Sequence, residues 1–173
     1  MKTILTLALA ATAFAGAASA QAPPWNGLNV PPAGPRARGP ALGQAVSAAQ
    51  AAVAECKSKT YIVTALIVDS VGQPVVMLSG DGAAYRTQYV AASKAAAVMK
   101  YKTTSGELVA KAKADPKLDA EIKANLEIGA ARQGGVPLMS DGQLIGAFAV
   151  SGAPGGEKDE ACVMAALAKF PLK

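Results

Sequence analysis

The sequence predicts an α+β domain: an antiparallel sheet of about five strands, flanked by helices. Two segments rich in β-branched residues, 60–70 and 73–80, are separated only by Val71-Gly72. Residues 136–140 and 143–151 are separated only by Asp141-Gly142, a two-residue hairpin signal. Links this short join antiparallel neighbours, because a parallel crossover needs a dozen residues or more. Segments with helical apolar spacing gather before, between and after the hairpins instead of alternating with single strands. The order is helix, two strands, several helices, three strands, helix. It excludes a doubly wound parallel sheet.

The first twenty residues, MKTILTLALAATAFAGAASA, lie outside that domain. An early lysine, a short apolar centre and an Ala-Ser-Ala end describe a secretory signal peptide, and a retained membrane anchor is the alternative. The apolar run is short for a span, and no later segment is long and apolar, so stable membrane insertion is not expected after cleavage. The mature chain is expected in the periplasm or outside the cell. Residues 21–40 hold six of the eleven prolines. Proline fixes φ and donates no backbone hydrogen bond, so this segment reads as an extended tether, with the lone Trp25 in it. Residues 41–173 form one domain, long enough for a core.

Within the domain, residues 41–57 are alanine-rich, with Leu42, Val46, Ala49 and Val53 at helical spacing. Residues 60–70 carry apolar groups at both parities, which predicts a central strand covered on both faces. A long helix is expected over residues 84–102, with Tyr85, Tyr89, Ala92, Ala96 and Met99 along one side. Thr104 or Ser105 caps the next helix, and Asp115-Pro116 ends it and starts another. Residues 128–133 read as a short strand. Val163, Ala166, Leu167 and Phe170 mark the inner face of a closing helix.

Composition removes several function classes. The chain has no histidine, which excludes Ser-His-Asp and Cys-His catalysis and histidine-ligated zinc or haem. The formal net charge is +5, and losing Lys2 with the leader leaves +4. The lysines are scattered with few aromatics among them, so no nucleic-acid surface is expected. Cys56 and Cys162 are an even pair in an exported chain, which suggests a disulfide; two buried thiols are the alternative. The loop SGAPGGEKDE, residues 151–160, opens a helix but places Glu157, Asp159 and Glu160 in its first turn. Those carboxylates complement the helix dipole and repel phosphate. Asp69, Asp81 and Asp141 sit beside or near glycines, as turn aspartates do.

Taken in order, VDSVG, SGDGAA, ASKAAAV, TTSGEL and GGVPLMSDGQLIGAFAVSGAPGGEKDEAC resemble the GlcG/HbpS-like haem-binding family over residues 41–170. The last block carries most of the likeness, through Gly134, Gly135, Pro137, Gly142, Gly146, Val150, Ser151, Gly152, Asp159 and Glu160. The resemblance implies a profilin-like outline, symmetric homo-oligomers and haem binding. In some members it implies haem degradation or iron-linked redox sensing. It also implies tetrapyrrole contacts after the long helix. Thr104 and Ser105 would give polar contact or weak ligation, Tyr101 stacking or ligation, and Lys100 or Lys102 a propionate ion pair. Gly106 and the lack of a proline before Thr104 depart from the family's run there. The expectation is an exported haem-binding protein in haem or iron handling or redox sensing, with weak or no catalysis. One alternative is a protein for a small, glycolate-like organic acid, with Arg86, Lys94 and Arg132 holding the carboxylate. The other is an oligomeric interaction protein. No metal-ligand set can be named from the sequence.

Overall fold

A computed structural model describes residues 37–172. The expected signal peptide, Trp25 and most of the expected tether lie outside them. Where description begins, Arg38 runs beside the first hairpin: its N–H donates to Ser70 Oγ (2.9 Å) and its carbonyl accepts from Ser70 N–H (2.8 Å).

The elements are α1 (Leu42–Ser58), β1 (Thr64–Asp69), β2 (Pro74–Ser79), α2 (Arg86–Tyr101), α3 (Ser105–Ala114), α4 (Pro116–Ala124), β3 (Gly135–Ser140), β4 (Gln143–Ser151) and α5 (Gly156–Lys169). The sheet has four antiparallel strands in the order β2-β1-β4-β3. As expected for a strand with apolar groups at both parities, β1 is central and both its faces are covered. Ala65 and Ile67, with Phe148 and Val150 of β4, pack under α1 and α5. Leu66 and Val68, with Ala147 and Ala149, pack under Ala91, Ala95 and Val98 of α2. α3 and α4 lie against the outer side of α2 through Leu108, Ala112 and Ile122. The result is two helices, a sheet, one helix and a further helical pair.

The Asp141-Gly142 hairpin forms with both residues at positive φ (49° and 73°), the conformation a two-residue turn requires. Asp69 closes the other hairpin: its Oδ1 accepts from Val71 N–H (3.0 Å) and Gln73 N–H (2.9 Å). The expected strand at residues 128–133 does not form, so the sheet has four strands where about five were predicted. Its backbone groups are bound elsewhere. Asn125 Oδ1 accepts from Glu127 and Ile128 N–H, and Gly129 turns back at φ +67° to donate to the Asn125 carbonyl. Ser93 Oγ of α2 donates to the Ile128 carbonyl (2.6 Å).

Cys56 and Cys162 form the disulfide, with Cα atoms 5.6 Å apart, and it joins α1 to α5 inside the core. No helix among the described residues is long and apolar enough to cross a membrane.

Candidate functional site

Two sides of α2 face two different concavities. Arg86, Val90 and Lys94 recur every four residues and line one; Tyr89, Ala92, Ala96 and Met99 recur at three and four and line the other. Each stripe follows from the helical repeat, and the helix is held in place by the alanine contact with β1 and β4.

The first concavity, about 560 Å³, lies between α2, the segment before β3 and the β4–α5 loop. Its floor is an ion pair. Lys94 Nζ donates to Asp159 Oδ2 (2.6 Å) and to the Val150 carbonyl (2.8 Å), while Asp159 Oδ1 accepts from Ala153 N–H (2.9 Å). The two side chains are only 3% and 5% exposed. Burial dominates both ionisations: it pushes the Lys94 ammonium pKa down and the Asp159 carboxyl pKa up, and their mutual attraction only partly offsets this. Gly134 makes room for the pair. It sits at φ +122°, and a Cβ there would lie 2.7 Å from both Lys94 Nζ and Asp159 Cβ. Arg86, Arg132 and Gln133 line the same space.

The second concavity is an open groove of about 720 Å³ between α2 and the β1–β2 hairpin. Leu66, Val68, Met77, Tyr89 and Met99 line it, and Lys100 stands among them. Tyr85 and Tyr89 hydrogen-bond through their hydroxyls, with rings edge to face at 5.0 Å. Both are exposed, so the side of α2 that carries Tyr85 and Tyr89 is not core; Ala91, Ala95 and Val98 supply the buried face.

The residues expected to contact a tetrapyrrole are close in sequence but divide among different tasks. Lys100 Nζ pairs with Glu121 Oε1 (3.1 Å) and lies 5.2 Å from the Tyr101 ring centroid. Tyr101 donates its hydroxyl to the same Glu121 oxygen (3.0 Å), and it packs against the cluster that contains Leu108 and Ile122. The Lys100 ammonium draws the Glu121 pKa down, and Glu121 in turn raises that of Lys100. Lys102 caps α2 in the left-handed region (φ 53°, ψ 34°). Thr104 caps α3, its Oγ1 accepting from Glu107 N–H (3.1 Å). Ser105 is fully buried and its Oγ accepts from Gly135 N–H (2.8 Å), tying α3 to β3. Of the five, Lys100 lines a concavity. The cap gives a direct prediction: Thr104→Ala should cost about 1 kcal/mol of stability. Urea unfolding measures it, and a change below about 0.3 kcal/mol would mean the cap is not used.

The Lys94–Asp159 pair was missed in the sequence because its members are 65 residues apart. Asp159 read as a dipole-complementing residue of α5, which also fits its place in the first turn. The same bond from Asp159 to Ala153 N–H closes the SGAPGGEKDE loop on its own carboxylate. That loop is tied to an acidic first turn and does not offer a phosphate cradle.

Residues 41–168 match the family described as "Haem degrading protein HbpS-like". The crystal structure of HbpS is similar at 28% identity and a TM-score of 0.68, over 82% of this chain and 99% of that one. Two further structures share the fold. Klebsiella pneumoniae protein ORFY is 22% identical with a TM-score of 0.70, over 82% of this chain and 97% of its own. PduOC, in complex with haem, is 24% identical with a TM-score of 0.69, over 77% and 96%. No curated protein matches the sequence.

Proposed function

The chain belongs to the HbpS-like family, and from that premise we propose that it is an exported haem-binding protein with weak or no catalysis, acting in haem or iron handling. PduOC, which shares the fold, was crystallised with haem, in keeping with this reading.

The observation that carries it is the groove beside α2. A tetrapyrrole needs an apolar slot, a donor for its iron and a cation for its propionates. The groove is within the usual size of small-molecule sites, roughly 300–1,000 Å³. It offers Leu66 and Val68 as apolar wall, Met77, Met99 and Tyr89 as donors of the kinds that ligate haem iron, and Lys100 as the cation. With no histidine in the chain, a phenol or thioether is the donor chemistry at hand. The residues fit the group. Haem, when bound, would supply the redox-active iron. The protein's own share is to hold the macrocycle against the apolar wall and shield one face from water. Lys100, whose ammonium has donors to spare beyond its bond to Glu121, would hold a propionate. Tyr101 acts from behind, donating to the Glu121 carboxylate that also holds Lys100, while Thr104 and Ser105 fix α3.

Val71, Met77, Tyr85, Tyr89 and Leu126 are exposed apolar side chains of the β1–β2 hairpin, α2 and the segment after α4. Four of them, Val71, Met77, Tyr89 and Leu126, also line the groove, so a neighbouring copy in a homo-oligomer would close over the groove and any haem in it; light scattering of the mature protein should give a discrete mass above one chain.

The test is a haemin titration followed at the Soret band. A saturable shift is expected, with affinity lowered about tenfold in Lys100→Ala, the cost of one charge-assisted contact. A spectrum that stays that of free haemin at every ratio would end the proposal.

A further inference from the structure

The cavity over the Lys94–Asp159 pair is separate from the groove assigned to haem, and two of its charges are guanidinium groups that no carboxylate among the described residues pairs. Arg86 and Arg132 form no ion pair among the described residues. Arg132 Nη1 reaches Ser93 Oγ, Ile128 O and Ala130 O only at 3.4–3.5 Å, the outer limit of hydrogen bonding. Arg86 makes no side-chain hydrogen bond within the described residues. A guanidinium is always charged and presents a rigid fork of donors, so two of them lining one recess form a strong anion-seeking arrangement. The Lys94 ammonium adds a third cation at the floor, fixed by Asp159 and the Val150 carbonyl.

We infer that this cavity binds a small organic carboxylate, gripped by Arg86 and Arg132 above the Lys94–Asp159 pair. Three cations, Arg86, Arg132 and Lys94, line the recess with one carboxylate, Asp159, and Glu160 stands close enough to act on Lys94, so the balance is a single positive charge that suits a monoanion. A dianionic phosphate fits less well. The usual phosphate partner, the start of a helix, is here α5, whose first turn holds Glu157 and Asp159, and Glu160 follows them. Val90, Val109 and Ala153 give the recess apolar walls beside its arginines, which suits a ligand with a short carbon body. Its volume of about 560 Å³ is in the lower half of the range for small-molecule sites and suits a compact acid.

The inference does not depend on the haem reading, and the experiment keeps them apart. Calorimetric titration of the full mature chain would use acetate, lactate, succinate and benzoate, with inorganic phosphate as comparator, all at one ionic strength. Saturable binding of at least one acid is expected, tighter than phosphate. Arg86→Ala and Arg132→Ala should each weaken it about tenfold or more, the loss of a charge-assisted pair. Both side chains are exposed, so these variants should keep the parent's thermal midpoint, and neither should change the haemin titration. Arg132→Lys should keep only part of the affinity, because the ammonium lacks the fork. No saturable binding of any acid at millimolar concentration would overturn the inference. So would binding that both alanine variants leave unchanged, or phosphate binding as tight as the best carboxylate.

Discussion

Replacing Lys94 with methionine should remove about 3–5 kcal/mol of stability, the loss expected when one partner of a buried ion pair is deleted and the other is left behind. The remaining Asp159 carboxylate would be stranded at 5% exposure with Ala153 N–H as its one hydrogen-bond donor. The double replacement Lys94→Met with Asp159→Leu should recover more than half of that loss. Both ionisations are shifted by burial towards the neutral forms, so the charged pair is itself no great source of stability. Urea unfolding of the two single variants, the double and the parent forms the cycle. A Lys94→Met cost within the roughly 0.5 kcal/mol of an ordinary surface change would show that the pair is not desolvated.

The same shifts fix the sign of the pH dependence. The Asp159 carboxyl has a folded-state pKa raised above 3.8, so between 3.8 and the raised value the native state holds more protons than the unfolded one. Stability contributed by this group therefore falls as pH rises through that window. The Lys94 ammonium has a folded-state pKa lowered from 10.5, so between the lowered value and 10.5 the unfolded state holds more protons. Its contribution rises with pH there. The parent minus the double variant should thus trace a trough, lowest between the two folded-state pKa values and climbing towards both ends of a scan from about pH 4 to about pH 10. A difference that is flat across the scan would refute it.

Much of the fold was legible because it rests on local signals. Asp141-Gly142 demands positive φ twice, and Thr60–Ser70 carries apolar groups at both parities, so one hairpin and one central strand follow from short windows. The helices were located, and in α5 Val163, Ala166 and Leu167 face the core as expected while Phe170 is exposed, but the faces of α1 and α2 were not. In α1 the buried stripe is Ala45, Ala48, Ala49, Ala52 and Cys56, while Leu42 is exposed. In α2 the two tyrosines turn outward and the alanines inward. Large side chains dominate a periodicity argument, yet close packing of a helix on this sheet selects small ones. Residues 128–133 failed as a strand for a similar reason: the competing bonds come from Asn125 and from Ser93, 35 residues away from Ile128. The site was the least legible part. Arg86, Lys94 and Arg132 were named together, but only the third dimension puts them around one cavity over Asp159. Thr104 and Ser105 looked like ligand contacts, and their hydroxyls are engaged by the backbone of α3 and β3.

Removing the Cys56–Cys162 bond should be comparably costly. The two residues are 106 apart in sequence, and cross-links closing loops of that length restrict the unfolded chain by about 4–5 kcal/mol in the chain-entropy account. Both cysteines are fully buried among Ala49, Ala52, Val163 and Ala166, so no side chain of the solvent-facing surface can substitute for the link between α1 and α5. Measured losses in natural proteins run from about 2 to 5 kcal/mol, and a chain of this size loses roughly 3–4 °C of melting temperature per kcal/mol. Cys56→Ala with Cys162→Ala should therefore melt on the order of 10 °C below the parent. Reducing the parent should reproduce most of that loss, but only after unfolding exposes the sulfurs, since a buried disulfide resists attack by a thiolate. Calorimetric scans with and without reductant, paired with a thiol count in denaturant, separate the two. If the thiol count proves full reduction and the melting temperature has not moved, the bond does not hold α1 against α5. A marked fall would tie the fold's stability to an oxidising compartment, as the proposed export of this chain requires.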